Sequence, residues 1–197
     1  MSLVFSPDKY IEALWFSAIA HGRATQLVPG TNLPYVCHPV LVAMELLNGL
    51  LEMSESDLDG DLDGDLAVQT ALLHDTLEDT SVTFSELEVK FGAEVAKGVL
   101  ALSKQDSAAS GVEDALERKR IIMEDSLERI KAQRREVHLV KLADRICNLQ
   151  KPPPAWSKEK IAYYKVEGKR ILDVLGKSSG PLAKRLRQRI LDYERFL

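Results

Sequence analysis

Apolar residues recur along this chain every three to four positions, and strict alternation of apolar and polar residues is almost absent. This period gives each helix one apolar face, so the pattern predicts an all-α protein. Ser6 followed by Pro7 is typical of a helix N-terminus, and the first helix is expected to end near His21 and Gly22. A loop rich in Gly, Pro and Asn follows, and Pro39 is expected to open the second helix.

Capping residues and periodicity predict the remaining helices. Asp65 is expected to cap the N-terminus of a helix over 66–79. Thr83 and Glu86 have the spacing of a capping box, for a short helix that Gly92 ends. The periodicity predicts further helices over 93–103, 113–130, 135–150, 158–175 and 181–196. No long polar linker separates these segments, so residues 1–197 are expected to form a single helical bundle.

Composition and charge indicate which partners and which cellular compartment to expect for this protein. Residues 151–197 carry 12 basic and 5 acidic side chains (+7), whereas residues 1–150 carry 14 and 25 (−11), which together give the net charge of −4. This asymmetry suits a polyanionic small substrate bound near metal-binding carboxylates, or, as the alternative, solvated helix faces. Basic residues are not interleaved with aromatic ones, so we expect no nucleic-acid partner. We expect neither a membrane span nor a signal peptide from this sequence, and we expect a cytoplasmic protein with reduced Cys37 and Cys147.

A short acidic repeat, DLDGDLDGD, occupies residues 57–65. Read from Asp59 it has the first half of a calcium-binding loop, but the twelfth position is Thr70 where a bidentate Glu is required. The repeat therefore favours a solvated turn over a calcium site.

Four ionisable residues interrupt the aliphatic segment TALLHDTLEDT: His74, Asp75, Glu78 and Asp79. On a continuous helix, His74 would lie over Glu78 and Asp75 over Asp79, because residues four apart share a face. Carboxylates gathered around an imidazole repel one another unless a cation or a substrate organises them. The alternative is an exposed, capped helix end, which explains the last two residues but not a histidine and an aspartate in mid-helix.

Two more segments carry residues of the same chemistry. His38 lies directly before Pro39 at a helix start, and Asp144 and Asn148 form a polar row beside the apolar stripe of LVKLADRICNL. Each alone is more often structural than functional. Together with the histidine and aspartate of the HD pair, they form a mixed nitrogen and oxygen ligand set that suits Mn²⁺, Fe²⁺ or Zn²⁺.

These residues carry a resemblance to a known family. The pattern His38, His74-Asp75 and Asp144 resembles the signature of the HD-domain phosphohydrolases. The segments PYVCHPVLVA, ALLHDTLEDT, FGAEVAKGV, LERKR and LVKLADRICNL resemble, in order, the RelA/SpoT-type (p)ppGpp hydrolase domain, above all its small stand-alone form, the metazoan SpoT homologue and related bacterial proteins. The similarity extends over residues 8–175.

The resemblance implies roles for individual residues. It implies one Mn²⁺ held by His38, His74, Asp75 and Asp144. It implies that Glu78 and Asp79 orient and deprotonate the attacking water. It implies contacts to the nucleotide from Asn148, Lys160 and Tyr164, with Trp156 on the same helical face as the last two. The implied activity is Mn²⁺-dependent hydrolysis of (p)ppGpp at the 3′ position, which releases pyrophosphate and GDP or GTP.

The chain departs from the family pattern at one place. Eleven and ten residues before His38, where the family has an Arg-Lys pair that grips the nucleotide, this sequence has Leu27 and Val28. Arg23 is a candidate substitute. Two alternatives therefore stay open: hydrolysis of phosphate from another nucleotide, such as NADPH, and a nucleotide-binding module without turnover. The sequence leaves the oligomeric state open.

Overall fold

The computed structural model describes residues 4–54 and 62–197, and within these ranges the regular elements are helices, apart from an isolated bridge between Leu27 and Pro34. The α-helices are α1 Pro7–Arg23, α2 Cys37–Leu51, α3 Gly64–Leu73, α4 Thr76–Asp79, α5 Phe84–Phe91, α6 Ala93–Leu102, α7 Ala115–Lys131, α8 Arg135–Asn148, α9 Lys158–Leu175 and α10 Gly180–Tyr193. The prediction of an all-α fold is confirmed. Among the described residues, no helix has the length and apolar character needed to cross a membrane.

The predicted starts of α1 and α5 are confirmed by their capping contacts. The Ser6 side chain accepts a hydrogen bond from the backbone N–H of Lys9. Thr83 and Glu86 form both halves of a capping box, each side chain accepting from the other's backbone N–H. Gly92 has a φ of +88°, a left-handed value that glycine adopts without strain, and it ends α5 directly before α6 begins.

Helix α2 begins at Cys37, two residues before Pro39, so the predicted start was wrong. The chain enters α2 through a tight turn, in which the N–H of His38 donates to the carbonyl of Tyr35 at 2.8 Å. Proline is tolerated in a first helical turn because its missing N–H has no intrahelical partner there. His38 consequently lies inside the first turn of α2, where the helix fixes its backbone.

Asp65 does not cap α3, because the helix begins one residue earlier than this position and is capped by Asp63. Asp63 Oδ1 accepts a hydrogen bond from the N–H of Leu66 at 3.0 Å. Asp65 instead accepts hydrogen bonds from the N–H of Ser6 at 2.6 Å and from Lys9 Nζ at 2.7 Å. The carboxylate predicted to be a local cap therefore ties α3 to the N-terminus of α1.

The acidic repeat over 57–65 falls mostly outside the described residues, which exclude 55–61. Its two described carboxylates, Asp63 and Asp65, make the contacts with α3 and α1 given above. The calcium alternative for this repeat therefore remains untested.

The predicted helix over 66–79 is broken, because α3 ends at Leu73 and α4 starts after a two-residue junction. At the junction, side chains bond to carbonyls that a continuous helix would pair with N–H groups. Thr76 Oγ1 donates to the carbonyl of Leu73 at 2.7 Å, and His74 Nδ1 lies 2.8 Å from the carbonyl of Ala71. Such local bonds compete with helix continuation. Residues four positions apart on either side of this break therefore do not share a face as they would on one straight helix.

Helix α3 is the centre of the bundle. Nine of its ten residues are buried, Asp65 being the exception, which is typical of a helix enclosed on all sides. Helices α1, α2, α6 and α8 pack around it, and α8 also packs against α2, α9 and α10. One contiguous core runs from Ala13 in α1 to Tyr193 in α10. The C-terminal end of α3 therefore lies next to both α2 and α8, the helices that carry His38 and Asp144.

Candidate metal centre and active site

The four predicted metal ligands come from three segments that the bundle brings together. His38 lies in the first turn of α2, His74 and Asp75 form the junction between α3 and α4, and Asp144 lies in α8. Ring nitrogens of both histidines and a carboxylate oxygen of Asp75 lie within 4.8 Å of one another. The packing of α2, α3 and α8 therefore creates a compact group of donor atoms.

Asp144 completes this group, which we call the ligand cluster (His38, His74, Asp75 and Asp144). Asp144 Oδ1 lies 3.3 Å from His38 Nε2 and 3.8 Å from His74 Nε2. Asp75 Oδ2 lies 3.0 Å from His74 Nε2 and 3.6 Å from His38 Nε2. Two imidazole nitrogens and two carboxylate oxygens thus surround one point, a donor set suited to a divalent transition-metal ion.

The orientation of His74 fits a metal ligand. Its Nδ1 carries the proton that bonds to the carbonyl of Ala71, because a carbonyl only accepts. The Nε2 atom is buried and makes no hydrogen bond of acceptable geometry within the described residues. Metal-binding histidines commonly show this pattern, in which one ring nitrogen is held by an acceptor and the other faces the ion.

The two carboxylates of the ligand cluster attract positive charge, which in the metal-free protein is the proton held on His74 and which a bound metal ion would replace. Burial alone would lower the pKa of His74, but the charges of Asp75 and Asp144 outweigh it and raise this pKa to about 9. Burial alone would raise the pKa values of both carboxylates, but the charges of His74 on Asp75 and of Lys141 on Asp144 lower them. Both carboxylates are therefore ionised at neutral pH, and they supply negative charge at the point where the two Nε2 atoms meet.

Tyr35 supports the ligand cluster from the loop before α2. Its hydroxyl donates to Asp75 Oδ2 at 2.6 Å. Burial, together with the charge of Asp75, raises the pKa of Tyr35, so the hydroxyl remains a donor. The Tyr35 ring also packs against His21 at 4.8 Å and against His38 at 5.5 Å between ring centroids.

Glu78, a predicted catalytic residue, lies in α4 and faces Lys104. Its two carboxylate oxygens accept hydrogen bonds from the backbone N–H of Lys104 at 2.9 Å and from Lys104 Nζ at 3.0 Å. Burial alone would lower the pKa of Lys104, but the charge and the hydrogen bond of Glu78 raise it, so Lys104 is a cation. The structure therefore places a carboxylate and a cation together at the side of the ligand cluster.

Asp79, the second predicted catalytic residue, is half-buried and bonded to Gln26. Gln26 Nε2 donates to Asp79 Oδ2 at 2.9 Å. Burial, and the charges of Asp75 and Glu78, raise the pKa of Asp79, while the Gln26 hydrogen bond acts in the opposite direction. Gln26 precedes Leu27 in the loop after α1, so this loop contacts the site through an amide.

Asn148 and Lys141 lie one turn on either side of Asp144 in α8. Asn148 Nδ2 donates to Asp144 Oδ1, and Lys141 Nζ lies 3.2 Å from Asp144 Oδ2. The predicted polar row of Asp144 and Asn148 is therefore present. Its amide orients the ligand carboxylate in this structure, and the nucleotide contact implied for Asn148 remains a prediction.

A cleft of about 380 Å³ opens beside the ligand cluster. Its charged lining comprises Lys104, Lys119, Lys141, Arg145, Lys160, Asp106 and Glu167. Five cations against two carboxylates leave a net charge of +3, which favours a polyanion. Lys104 and Lys141 also contact Glu78 and Asp144, so the cleft adjoins the ligand cluster directly.

Lys160 and Tyr164 line one wall of this cleft, and Trp156 packs against both of them. The rings of Trp156 and Tyr164 are 4.4 Å apart, and Lys160 Nζ lies 4.1 Å from the Trp156 ring. Trp156 precedes α9 rather than lying on it, so the group is held by ring contacts in addition to helical spacing. Arg145 Cζ lies 5.1 Å from the centroid of the Tyr164 ring, and Arg145 Nη1 lies 3.3 Å from Glu167 Oε2.

Arg23 and the Leu27-Val28 pair lie in a different part of the molecule from these cations. Arg23 is the exposed last residue of α1, and its charge acts on Glu86. Among the described residues, Arg23 does not line the cleft. Leu27 is 49% exposed, and Val28 pairs its N–H with the carbonyl of Leu33 in the same loop.

Several residues at the site were not identified from the sequence. They are His21, Gln26, Tyr35, Lys104, Lys119, Lys141, Arg145 and Tyr163. Lys141 and Arg145 lie within one turn of Asp144 in KLADR, and this local spacing was a usable signal. For Lys104 and Gln26 the sequence gives no such signal, because their partners lie 26 and 53 positions away.

Comparison with known proteins agrees with this geometry. The sequence model of a family described as "HD domain" matches residues 13–180, so the chain belongs to the HD domain family. The predicted fold, a helical bundle of the HD type, is thereby confirmed.

The similar proteins identify the branch of that family. A Danio rerio protein named guanosine-3′,5′-bis(diphosphate) 3′-pyrophosphohydrolase MESH1 is 30% identical over 187 residues, 92% of either chain. The Homo sapiens protein of the same name is 33% identical over 159 residues, 78% of this chain and 77% of that protein. A solved structure, described as a metazoan ortholog of SpoT that hydrolyzes ppGpp and plays a role in starvation responses, has a TM-score of 0.74 and 26% identity over 96% of this chain and 97% of that chain. The resemblance to the stand-alone form of the RelA/SpoT-type hydrolase is confirmed.

Proposed function

We propose that this protein is a Mn²⁺-dependent (p)ppGpp 3′-pyrophosphohydrolase that releases pyrophosphate and GDP or GTP. The observation that carries the proposal is the convergence of two histidines and two aspartates in the ligand cluster, directly beside a cleft lined by five cations. The names of the similar MESH1 proteins support the same activity. The proposal takes residues 1–197 as one domain that acts on a small nucleotide in the cytoplasm, without a nucleic-acid or membrane partner.

In this proposal His38, His74, Asp75 and Asp144 hold one Mn²⁺. The mixed nitrogen and oxygen donors also accept Fe²⁺ or Zn²⁺. When bound, the ion supplies a Lewis acid for the phosphoryl oxygens of the substrate. The hydrogen bonds from Tyr35 and Asn148 hold Asp75 and Asp144 in the orientation in which they would bind the ion.

The neighbouring carboxylates carry the proton transfer. Glu78 accepts a proton from the attacking water, and Asp79 orients that water. The water oxygen bonds to the phosphorus attached to ribose O3′, the O3′–P bond breaks, and a proton ends on O3′. Lys104 holds Glu78 in the free protein, so an arriving phosphate competes for Lys104 and releases the Glu78 carboxylate. Substrate binding and base activation are coupled in this way.

The remaining cations bind the substrate. Lys119 and Lys160 are exposed at the cleft, each resting on an aromatic ring, and both are available to phosphate oxygens. Asn148 and Tyr164 contact the nucleoside part, whereas Arg23, at the end of α1, lies outside the cleft lining. The polyanion is thus held chiefly from the loop after α6, from α7 and from α9.

A second candidate substrate is another phosphorylated nucleotide, such as NADPH. The observation that favours it is the pair Leu27 and Val28, which brings no cation to the loop where relatives of this type carry an Arg-Lys pair. A nucleotide-binding module without turnover is less consistent with the site, because a pure binder has no use for the carboxylates of Glu78 and Asp79 beside the ligand cluster.

The test is a substrate panel with purified protein in saturating Mn²⁺. ppGpp, pppGpp and NADPH are incubated separately, and the products are resolved by anion-exchange chromatography with Asp144→Ala as the inactive control. Equimolar pyrophosphate and GDP or GTP support the proposal. Orthophosphate and NADH from NADPH, with ppGpp intact, establish the second candidate. Binding of ppGpp without any product from the panel establishes the binding module.

A further inference from the structure

A chain of hydrogen bonds leads from a buried histidine to Asp79. His21, near the end of α1, is only 1% exposed, and its Nδ1 lies 2.7 Å from Gln26 Oε1. The other end of the same amide, Gln26 Nε2, donates to Asp79 Oδ2 at 2.9 Å. His21, Gln26 and Asp79 therefore form one connected series, which we call the relay.

The direction of every bond in the relay is fixed by chemistry. The Asp79 carboxylate only accepts, so the NH₂ end of the Gln26 amide must face it. The Gln26 carbonyl oxygen then faces His21, and it requires a proton on His21 Nδ1. Burial lowers the pKa of His21, which favours the neutral ring. The neutral ring with a proton on Nδ1 leaves Nε2 bare, and His21 Nε2 is buried without a hydrogen-bond partner among the described residues.

The relay is anchored on the same side as the ligand cluster. The His21 ring packs against Tyr35, whose hydroxyl donates to Asp75 Oδ2. The backbone N–H of Gln26 donates to the carbonyl of His21 at 3.2 Å, and the carbonyl of Gln26 accepts from the N–H of Tyr35 at 3.0 Å. Gln26 is therefore held by its backbone on both sides, and its side-chain amide is bonded at both ends, to His21 and to Asp79.

We propose that His21 and Gln26 are positioning residues that hold the Asp79 carboxylate in its working orientation. The inference rests on the proposed role of Asp79 in orienting water. A carboxylate with one oxygen fixed by Gln26 presents its other oxygen in a defined direction. Displacement of a reacting group by about 1 Å costs on the order of 10²-fold in rate, so loss of this restraint should be measurable as a fall in kcat.

Kinetics of Gln26→Met test the second bond of the relay. Methionine has a similar length but neither donates nor accepts strongly, so Asp79 loses its partner while the loop keeps its bulk. We expect kcat to fall about 10- to 30-fold, with KM and bound metal within about twofold of the wild type. The matched control is Gln188→Met, which removes an exposed bond from Gln188 Nε2 to Asp192 Oδ1 of 2.8 Å on α10 and should leave kcat unchanged.

A pair of His21 variants separates positioning from packing. Asn places an amide N–H near the position of histidine Nδ1, so His21→Asn should keep kcat within about threefold of the wild type. His21→Leu fills the site but has no donor, and its kcat should fall about 5- to 10-fold with unchanged bound metal. Equal kcat values for the two His21 variants, or an unchanged kcat in Gln26→Met, overturn the relay.

The tautomer of His21 tests the relay without any turnover. Long-range ¹H–¹⁵N correlation spectra of the full chain should show the proton on Nδ1 in the wild type and a loss of this preference in Gln26→Met. A wild-type His21 with its proton on Nε2 overturns the inference even if hydrolysis is found. Conversely, Nδ1–H in a protein that hydrolyses none of the panel supports the relay's geometry and contradicts the proposed function alone.

Discussion

The ligand cluster and the cation-lined cleft are neighbours, but they are built differently. His74 and Asp144 are 3% and 5% exposed, and each is oriented by a hydrogen bond within its own helical segment. Lys119 and Lys160 in the cleft are exposed and rest on single aromatic rings. Long exposed side chains keep rotamer freedom until a ligand orders them. The contrast indicates that the ligand cluster is ordered in the free protein, whereas the lysines of the cleft keep a freedom that a bound ligand would remove.

The largest effect is expected from removal of one ligand. Asp144→Ala deletes one of four donors and leaves Asn148 and Lys141 without their acceptor. We expect bound Mn²⁺ to fall below detection by inductively coupled plasma mass spectrometry, and hydrolysis to fall at least about 10³-fold. The Mn²⁺-dependent increase in Tm should also vanish, because that increase is ligand linkage. Full metal stoichiometry in this variant would falsify the four-ligand cluster.

The next effect separates metal binding from proton transfer. Glu78→Gln keeps the size of the side chain and one of its two acceptors for Lys104 but removes the base, so kcat should fall about 10²-fold while Mn²⁺ remains bound. Glu88→Gln, an exposed change on α5, is the matched control and should leave kcat unaltered. Near-normal turnover in Glu78→Gln would transfer the role of base to another group, Asp79 first.

A smaller effect is expected in the cleft. Lys119→Ala and Lys160→Ala each remove one exposed cation, so KM for the hydrolysed nucleotide should rise about three- to tenfold at nearly constant kcat. Lys184→Ala on α10, also exposed, should change neither parameter. A fall in kcat at unchanged KM would show that these lysines act on the transition state, and would remove the distinction between the two regions.

The smallest effect concerns the stability of the metal-free protein. The pKa of His74 is raised to about 9 from an ordinary value near 6.5, so its contribution to stability is fully present below about pH 6.5 and is lost as the pH rises through about 9. In EDTA, Tm measured by calorimetry should therefore fall by several degrees between pH 6.0 and pH 8.5. In saturating Mn²⁺ the fall should be absent, because the ion binds the deprotonated ring. Parallel declines in both buffers would contradict this coupling.

The two regions also differ in how well the sequence predicts them. The fold class, the caps of α1 and α5 and the convergence of His38, His74, Asp75 and Asp144 followed from periodicity, capping residues and the family motif. The break at the α3–α4 junction did not, because it depends on side chains that capture carbonyls rather than on the apolar pattern. The cap of α3 was misplaced for a similar reason, since Asp65 serves a distant helix.

The contacts that support Glu78 and Asp79 could not be predicted from the sequence. Lys104 reaches Glu78 from the loop after α6, and Gln26 reaches Asp79 from the loop after α1. No helical period links these pairs, because each is created by the packing of separate elements. The sequence therefore identified the ligand cluster and the two carboxylates beside it, and the structure was needed to identify the residues that hold these groups in place.

The most direct test of the ligand cluster is diffraction from crystals soaked in Mn²⁺, recorded at the manganese absorption edge. We expect one anomalous difference peak bonded to Nε2 of His38, Nε2 of His74 and one carboxylate oxygen each of Asp75 and Asp144. The peak should disappear in crystals of Asp144→Ala that retain the wild-type fold. A peak coordinated elsewhere on the chain, or none at these four residues in saturating Mn²⁺, would contradict a metal-dependent hydrolase centred on this cluster.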